Sequence, residues 1–193
     1  VDQGFPKRFS KQPSAHLRIA YLGQLAELKG IHVLIDAVRQ IDDPRLQVKI
    51  YGDATRFPSY VERLRTKIGG DQRIVLAGPY SGGDSLARIL ADTDLLVVPS
   101  LWYENSPNVL LEAFAMGTPA LVSDFGGMAE LVQSEVNGLR FRLGDPIDLA
   151  RQLRRLLESP ELVSTLSAGV PTVRSIQDEM DLLEEVYGRV MKV

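Results

Sequence analysis

Apolar residues fall along this chain in two alternating rhythms. Short, β-branched runs at 17–23, 46–52 and 73–77 each close at or just before a glycine, at Gly23, Gly52 and Gly78. Between the first two, Ile31, Leu34, Ile35, Val38 and Ile41 recur at three- and four-residue spacing, which predicts a helix over 30–41. Helices are likewise predicted over 58–68, 84–91 and 107–116, the last stopped by Gly117 at a natural C′ position. The run at 94–98 is apolar from Leu95 to Val98, as a strand buried on both faces should be. Further strands are predicted over 119–123 and 138–141. Beyond Leu143 the pattern is helical, with starts at Asp145-Pro146 and Pro160 and a long terminal helix over 172–191.

Strand alternating with helix predicts an α/β fold: a Rossmann-like, doubly wound parallel sheet of about six strands, helices on both faces. Such sheets bind ligands outside the carboxyl ends of their strands. Five polar or glycine-bearing loops fall on that rim: 23–29, 52–53, 78–80, 100–109 and 124–127.

The loop at 100–109 holds the sharpest chemistry. Glu104 and Glu112 stand eight positions apart around a helix start. Ser106 reads as its N-cap and Pro107 as its first helical residue, leaving the N–H groups of Asn108, Val109 and Leu110 bare at the positive end of the helix dipole. Such an end suits a phosphate. A carboxylate accepts hydrogen bonds from adjacent hydroxyls, so one on each flank points to a ligand with a sugar at both ends. A nucleotide-sugar has that shape.

Composition narrows the field. The 193 residues carry a formal charge of −3, which argues against a nucleic-acid surface. Cysteine is absent, excluding disulfides, thiolate metal sites and cysteine nucleophiles, and fitting a reducing compartment. No apolar run approaches the ~18 residues of a membrane span. Asp92-Thr93-Asp94 spells a metal-binding Asp-x-Asp, but it precedes its strand and belongs on the opposite rim. His16 and His32 lack a second histidine at ligand spacing, so no metal site is read. The opening Val1-Asp2-Gln3-Gly4 reads as the cut edge of a larger protein.

Three groups of residues resemble the C-terminal, donor-binding half of GT-B glycosyltransferases of the family 4 retaining type. They are Gly23-Gln24-Leu25 with Lys29-Gly30, then Tyr51-Gly52-Asp53, then Glu104 to Glu112 running on through Gly117-Thr118-Pro119 to Gly126-Gly127. The resemblance spans about residues 17–159. It implies metal-independent transfer of a sugar from a nucleotide-diphosphate donor with retained configuration, and no cofactor. Glu104 would hold donor-sugar hydroxyls and Glu112 the ribose. Asn108 and Val109 would hold phosphate through their amides. Lys29 would stabilise the departing diphosphate, and Gly78-Pro79-Tyr80 would border the base.

The chain departs from the family pattern at two places. Gln24 stands where arginine is usual, so charge on the diphosphate rests on Lys29 or another base. Asn105-Ser106-Pro107 stands where many relatives have Pro-Phe-Gly, offering the side chains of Asn105 and Ser106 in place of a backbone N–H. The resemblance further implies a preceding half carrying the acceptor pocket, for a glycan or lipid-linked acceptor. Residues 1–13 would be the linker, 14–170 the nucleotide-sugar domain, and 171–193 a helix returning toward that half. The implied location is cytoplasmic, peripheral at the inner membrane face for a lipid acceptor. Two other readings stand beside this one: a nucleotide-sugar epimerase-like enzyme of the same fold, and a binding module without transfer activity.

Overall fold

A computed structural model describes residues 14–105, 107–174 and 176–191. Among them are six parallel strands, β1 (Leu17–Leu22), β2 (Leu46–Tyr51), β3 (Ile74–Gly78), β4 (Leu95–Val98), β5 (Ala120–Ser123) and β6 (Gly138–Phe141). They form one sheet in the order β3-β2-β1-β4-β5-β6. The helices are α1 (Ile31–Arg39), α2 (Pro58–Ile68), α3 (Asp84–Ala91), α4 (Asn108–Ala115), α5 (Gly126–Leu131), α6 (Pro146–Glu158), α7 (Pro160–Ala168) and α8 (Ile176–Val190). The predicted Rossmann-like α/β class is the observed one.

Alternation along the central strands builds two cores. Ile19, Tyr21, Leu95 and Val97 face a layer that includes Leu34 and Val38 of α1 and Leu149 and Leu153 of α6. Leu22, Leu96 and Val98 face the other layer, with Leu90 of α3, Leu110 and Phe114 of α4, and Met128 of α5. β4 is buried along its whole length, which is why its sequence carries no polar residue.

The winding reverses between β1 and β4. β1 pairs with β2 through six residues, but with β4 only at Ile19↔Leu95 and Ala20↔Leu96. This switch point is where such a sheet offers a crevice at its carboxyl end, bordered here by the loops after β1, β2 and β3. At the opposite rim Arg18 fastens the same two strands. Its guanidinium donates to Asp94 at 2.8 and 3.0 Å and to Asp92 at 2.9 Å, and Lys49 also donates to Asp92 at 2.9 Å. The Asp-x-Asp pair is thus on the predicted rim, bonded to cations of the chain itself.

Several boundaries differ from expectation. α1 begins at Ile31, after a 3-10 turn over Glu27–Lys29, because Gly30 sits between them at φ 68°. α4 begins at Asn108: Pro107, expected as the first helical residue, has ψ 110° and occupies the cap position. Its carbonyl accepts from the Leu110 N–H at 2.9 Å, so that amide is not bare. Ser106, the expected cap, lies outside the described residues, as do residues 1–13, the expected linker. α5 is a short helix that begins inside the loop expected over 124–127. α8 spans Ile176–Val190 where the sequence predicts 172–191. No helix among the described residues is long and apolar enough to cross a membrane.

Candidate functional site

The loop after β1 and the loop after β4 are tied together through backbone before any side chain meets. The Leu101 N–H donates to the Leu28 carbonyl at 2.8 Å. Gly30 lies so close to Pro99 that a Cβ there would stand 1.9 Å from the Pro99 oxygen. This contact, with the positive φ, explains glycine at position 30. It brings Lys29 to Glu104, seventy-five residues away in sequence, and the ammonium donates to Glu104 Oε1. The buried Ser100 hydroxyl donates to the same oxygen at 3.0 Å, fixing the carboxylate from below.

The backbone of that loop is held from the other side by α5. The Gly127 N–H donates to the Glu104 carbonyl at 2.7 Å. A Cβ on Gly127 would lie 1.7 Å from the Asn105 oxygen and 2.8 Å from that of Glu104. Tyr103 packs edge-on against Phe125, ring centroids 5.4 Å apart. Gly126-Gly127, which the sequence places in a loop of the rim, is the seat on which the Glu104 loop rests. Asn105 is exposed, and its backbone carbonyl is what meets that seat.

α4 leaves the loop with its first amides uncovered. Among the described residues the N–H groups of Asn108 and Val109 have no partner. Glu112, one turn further in, is half-buried and has no cation or donor among the described residues. Burial alone holds its carboxyl above the usual glutamate range. The Tyr80 phenol is raised by burial first and then by the charge of Glu112. Tyr80 in turn stands edge-on to Tyr51, centroids 6.4 Å apart.

Gly23, Gln24, Gly52, Asp53, Pro79 and Tyr80 line a single cleft of about 340 Å³. The strand-end glycines join it through backbone: the Gly23 N–H donates to Tyr51 and the Gly52 N–H to Gly78. Gln24 is exposed, with its carbonyl accepting from the Tyr21 hydroxyl at 2.7 Å. Asp53 is a turn residue. Its Oδ1 accepts from the Thr55 N–H and hydroxyl at 2.8 and 2.7 Å, which holds its carboxyl below the usual range. A second cleft of about 640 Å³ adjoins at Gln24 and is lined by Lys29, Arg56, Phe57 and the 58% exposed Trp102. Another cavity, about 660 Å³, lies at the amino-terminal rim around Leu17, Asp94 and Leu157, away from all five loops.

The fold brings Lys29 to Glu104 and sets Gly23, Gln24, Gly52, Pro79 and Tyr80 around one cleft; Asn108, Val109 and Glu112 lie on α4, the Leu110 amide is bonded to Pro107, and Ser106 is outside the described residues. Sequence reading misses Ser100, whose signal is a small hydroxyl directly after an all-apolar strand. It passes over Arg56, which lines both clefts from the loop after β2.

The chain matches the family model of glycosyl transferases group 1 over residues 16–159. It is 33% identical to an uncharacterized glycosyltransferase of Methanocaldococcus jannaschii, over 72% of this chain and 35% of that protein. It is 30% identical to a D-inositol 3-phosphate glycosyltransferase of Salinispora arenicola, over 86% of this chain and 39% of that protein. The chain thus spans little more than a third of these curated relatives. Among solved structures, Anabaena HepE in complex with UDP aligns with TM-score 0.80 and 23% identity, over 90% of this chain and 49% of that one. The C-terminal domain of a Francisella tularensis glycosyl transferase group 1 protein aligns with TM-score 0.73 and 18% identity, over 84% of this chain and 91% of that domain. Together with the sheet order and the crevice, the match to three-quarters of its length shows that the chain belongs to the glycosyl transferases group 1 family.

Proposed function

We propose that this chain is the donor-binding half of a metal-independent, retaining glycosyltransferase that takes sugar from a nucleotide-diphosphate donor. The observation that carries the reading is the layout of charge along the crevice. Along the chain, two amides uncovered among the described residues open α4 between Glu104, paired with Lys29, and Glu112, which has no partner among those residues. The complex of HepE with UDP supports a nucleoside diphosphate in this fold.

In this reading Glu112 accepts hydrogen bonds from the ribose, and Tyr80 and Pro79 border the base. The amides of Asn108 and Val109 take the diphosphate. Lys29 turns from Glu104 to the phosphate whose charge grows as the glycosidic bond breaks, because preplaced donors act where charge develops. Glu104, released and still held by Ser100, orients the hexose hydroxyls. The leaving phosphate assists deprotonation of the acceptor on the face it departs from. The acceptor, a glycan or lipid-linked sugar, would be held by a second half, linked through residues 1–13 and met by 171–193. The cysteine-free chain fits a reducing compartment. We place it in the cytoplasm, at the inner membrane face when its acceptor is a lipid.

A thermal-shift panel of UDP, GDP and ADP tests the donor reading. One of them at a hundred times its dissociation constant should stabilise the chain by about 2.7 kcal/mol. No shift with any of the three rejects it.

Glu112 offers a sharper check, because burial works against its charge. Its folded pKa lies above the unfolded value, so its favourable contribution to stability is full below the unfolded pKa and is lost as pH rises through the folded one. At neutral pH the ionised carboxylate is a liability retained for binding. Glu112→Gln is expected to raise the melting temperature of the free chain at pH 7 and to weaken nucleoside and nucleoside diphosphate alike, by roughly tenfold, about one charged hydrogen bond. A variant that lost affinity only for the sugar-bearing donor would reverse the assignment of the two glutamates.

A further inference from the structure

Lys29, the cation that the sequence nominates for the diphosphate, is already engaged. Its ammonium is spent on Glu104, whose side chain is only 18% exposed, so that pair brings no net charge to the crevice. A diphosphate entering there would meet two amides and a neutral Gln24, with Glu112 adding a negative charge. The crevice needs another cation. The loop between β2 and α2 carries one. Arg56 is exposed, and its guanidinium stands 5.9 Å from the centre of the Phe57 ring. Among the described residues it forms no ion pair. Asp53, on the same loop, has turned its Oδ1 to Thr55. Arg56 lines both clefts that meet at Gln24, the one bordered by Gly23 and Gly52 and the one bordered by Lys29.

We infer that Arg56 is a diphosphate-binding residue, reaching from the loop after β2 across Gln24 to supply the cation that the β1 loop lacks. The inference rests on the donor reading above and deepens it. A guanidinium suits such a ligand, because it presents planar, paired donors to phosphate oxygens and cannot lose its charge. Its place over Phe57 limits the rotamers to be frozen on binding. Arg56 would meet the diphosphate first, as the cation already free of an ion pair among the described residues, before Lys29 leaves Glu104.

Calorimetry on this chain with UDP, GDP and ADP, each against its own nucleoside, tests the inference. For the diphosphate that the unaltered chain binds, Arg56→Ala should weaken affinity about tenfold and flatten its dependence on salt, leaving the nucleoside unchanged. Arg56→Lys should fall between the two. Adding Gln24→Arg to Arg56→Ala should restore most of the loss, because the charge returns to the same junction. Since Arg56 is exposed, the melting temperature of the free variants should match that of the parent. Equal diphosphate affinity with and without Arg56 overturns the role of Arg56 and leaves the donor reading standing. Parallel loss of nucleoside and diphosphate also overturns it, since the arginine would then be shaping the pocket. If the unaltered chain binds none of the three, the donor reading falls and Arg56 falls with it.

Discussion

Replacing Gly127 with alanine is expected to destabilise the chain by about 1–3 kcal/mol, the range for overpacked cores, and to abolish donor binding. The added Cβ would stand 1.7 Å from the Asn105 oxygen, and backbone cannot swing aside as a flexible side chain does. Either α5 withdraws or the Glu104 loop lifts. Both break the 2.7 Å bond from the Gly127 N–H to the Glu104 carbonyl. Glu104 then leaves Ser100 and Lys29, and the crevice loses its sugar end. Denaturant unfolding gives the first number and calorimetry with the donor the second. Gly82→Ala is the control, for its Cβ would meet no atom within 4 Å, and it should change neither. A G127A chain that bound donor as tightly as its parent would mean that this seat does not position Glu104.

Lys29→Ala should weaken nucleoside diphosphates by about 1.5–3 kcal/mol, the worth of a charged hydrogen bond. The loss has two parts. One is the missing ammonium. The other is a Glu104 carboxylate left with Ser100 as its donor, its charge facing the phosphates. Adding Glu104→Gln to Lys29→Ala removes that repulsion and should recover part of the affinity for the bare diphosphate. Glu104→Gln alone should do the opposite of a simple knockout. With Lys29 released, UDP, GDP or ADP should bind more tightly than to the parent, and the corresponding nucleotide-sugar should lose its advantage over the bare diphosphate. The three variants form a thermodynamic cycle read by calorimetry. Strict additivity would show that the ion pair and the diphosphate do not compete.

Elements whose ends are decided by local chemistry can be read to the residue. Pro58, Pro146 and Pro160 open α2, α6 and α7 where the sequence places them, and Asp145 caps α6 by accepting from the Ile147 and Asp148 N–H groups. Pro107 misleads because proline at a cap and proline at the first helical position look alike in sequence; the choice is made by ψ, which the packed loop sets. α5 is illegible for a related reason. Six residues beginning Gly-Gly show no helical period, and the helix is seated by its contact with a loop more than twenty residues upstream. The site divides the same way. The residue types that suit a diphosphate and two sugars stand in the sequence. That Lys29 is bonded to Glu104, that Glu112 has no partner among the described residues, and that Arg56 lines a cleft with Gln24 are all products of chain crossings.

The two-residue ladder between β1 and β4 has a mechanical consequence. Little backbone sews these strands along their length, so the joint rests on its two ends, Arg18 with Asp92 and Asp94 at one and the Leu101 N–H on the Leu28 carbonyl at the other. The second of these ends is also the floor above which Lys29 meets Glu104. Because both apolar layers bridge β1 and β4, a load that a bound molecule placed on that floor would pass into both interiors at once.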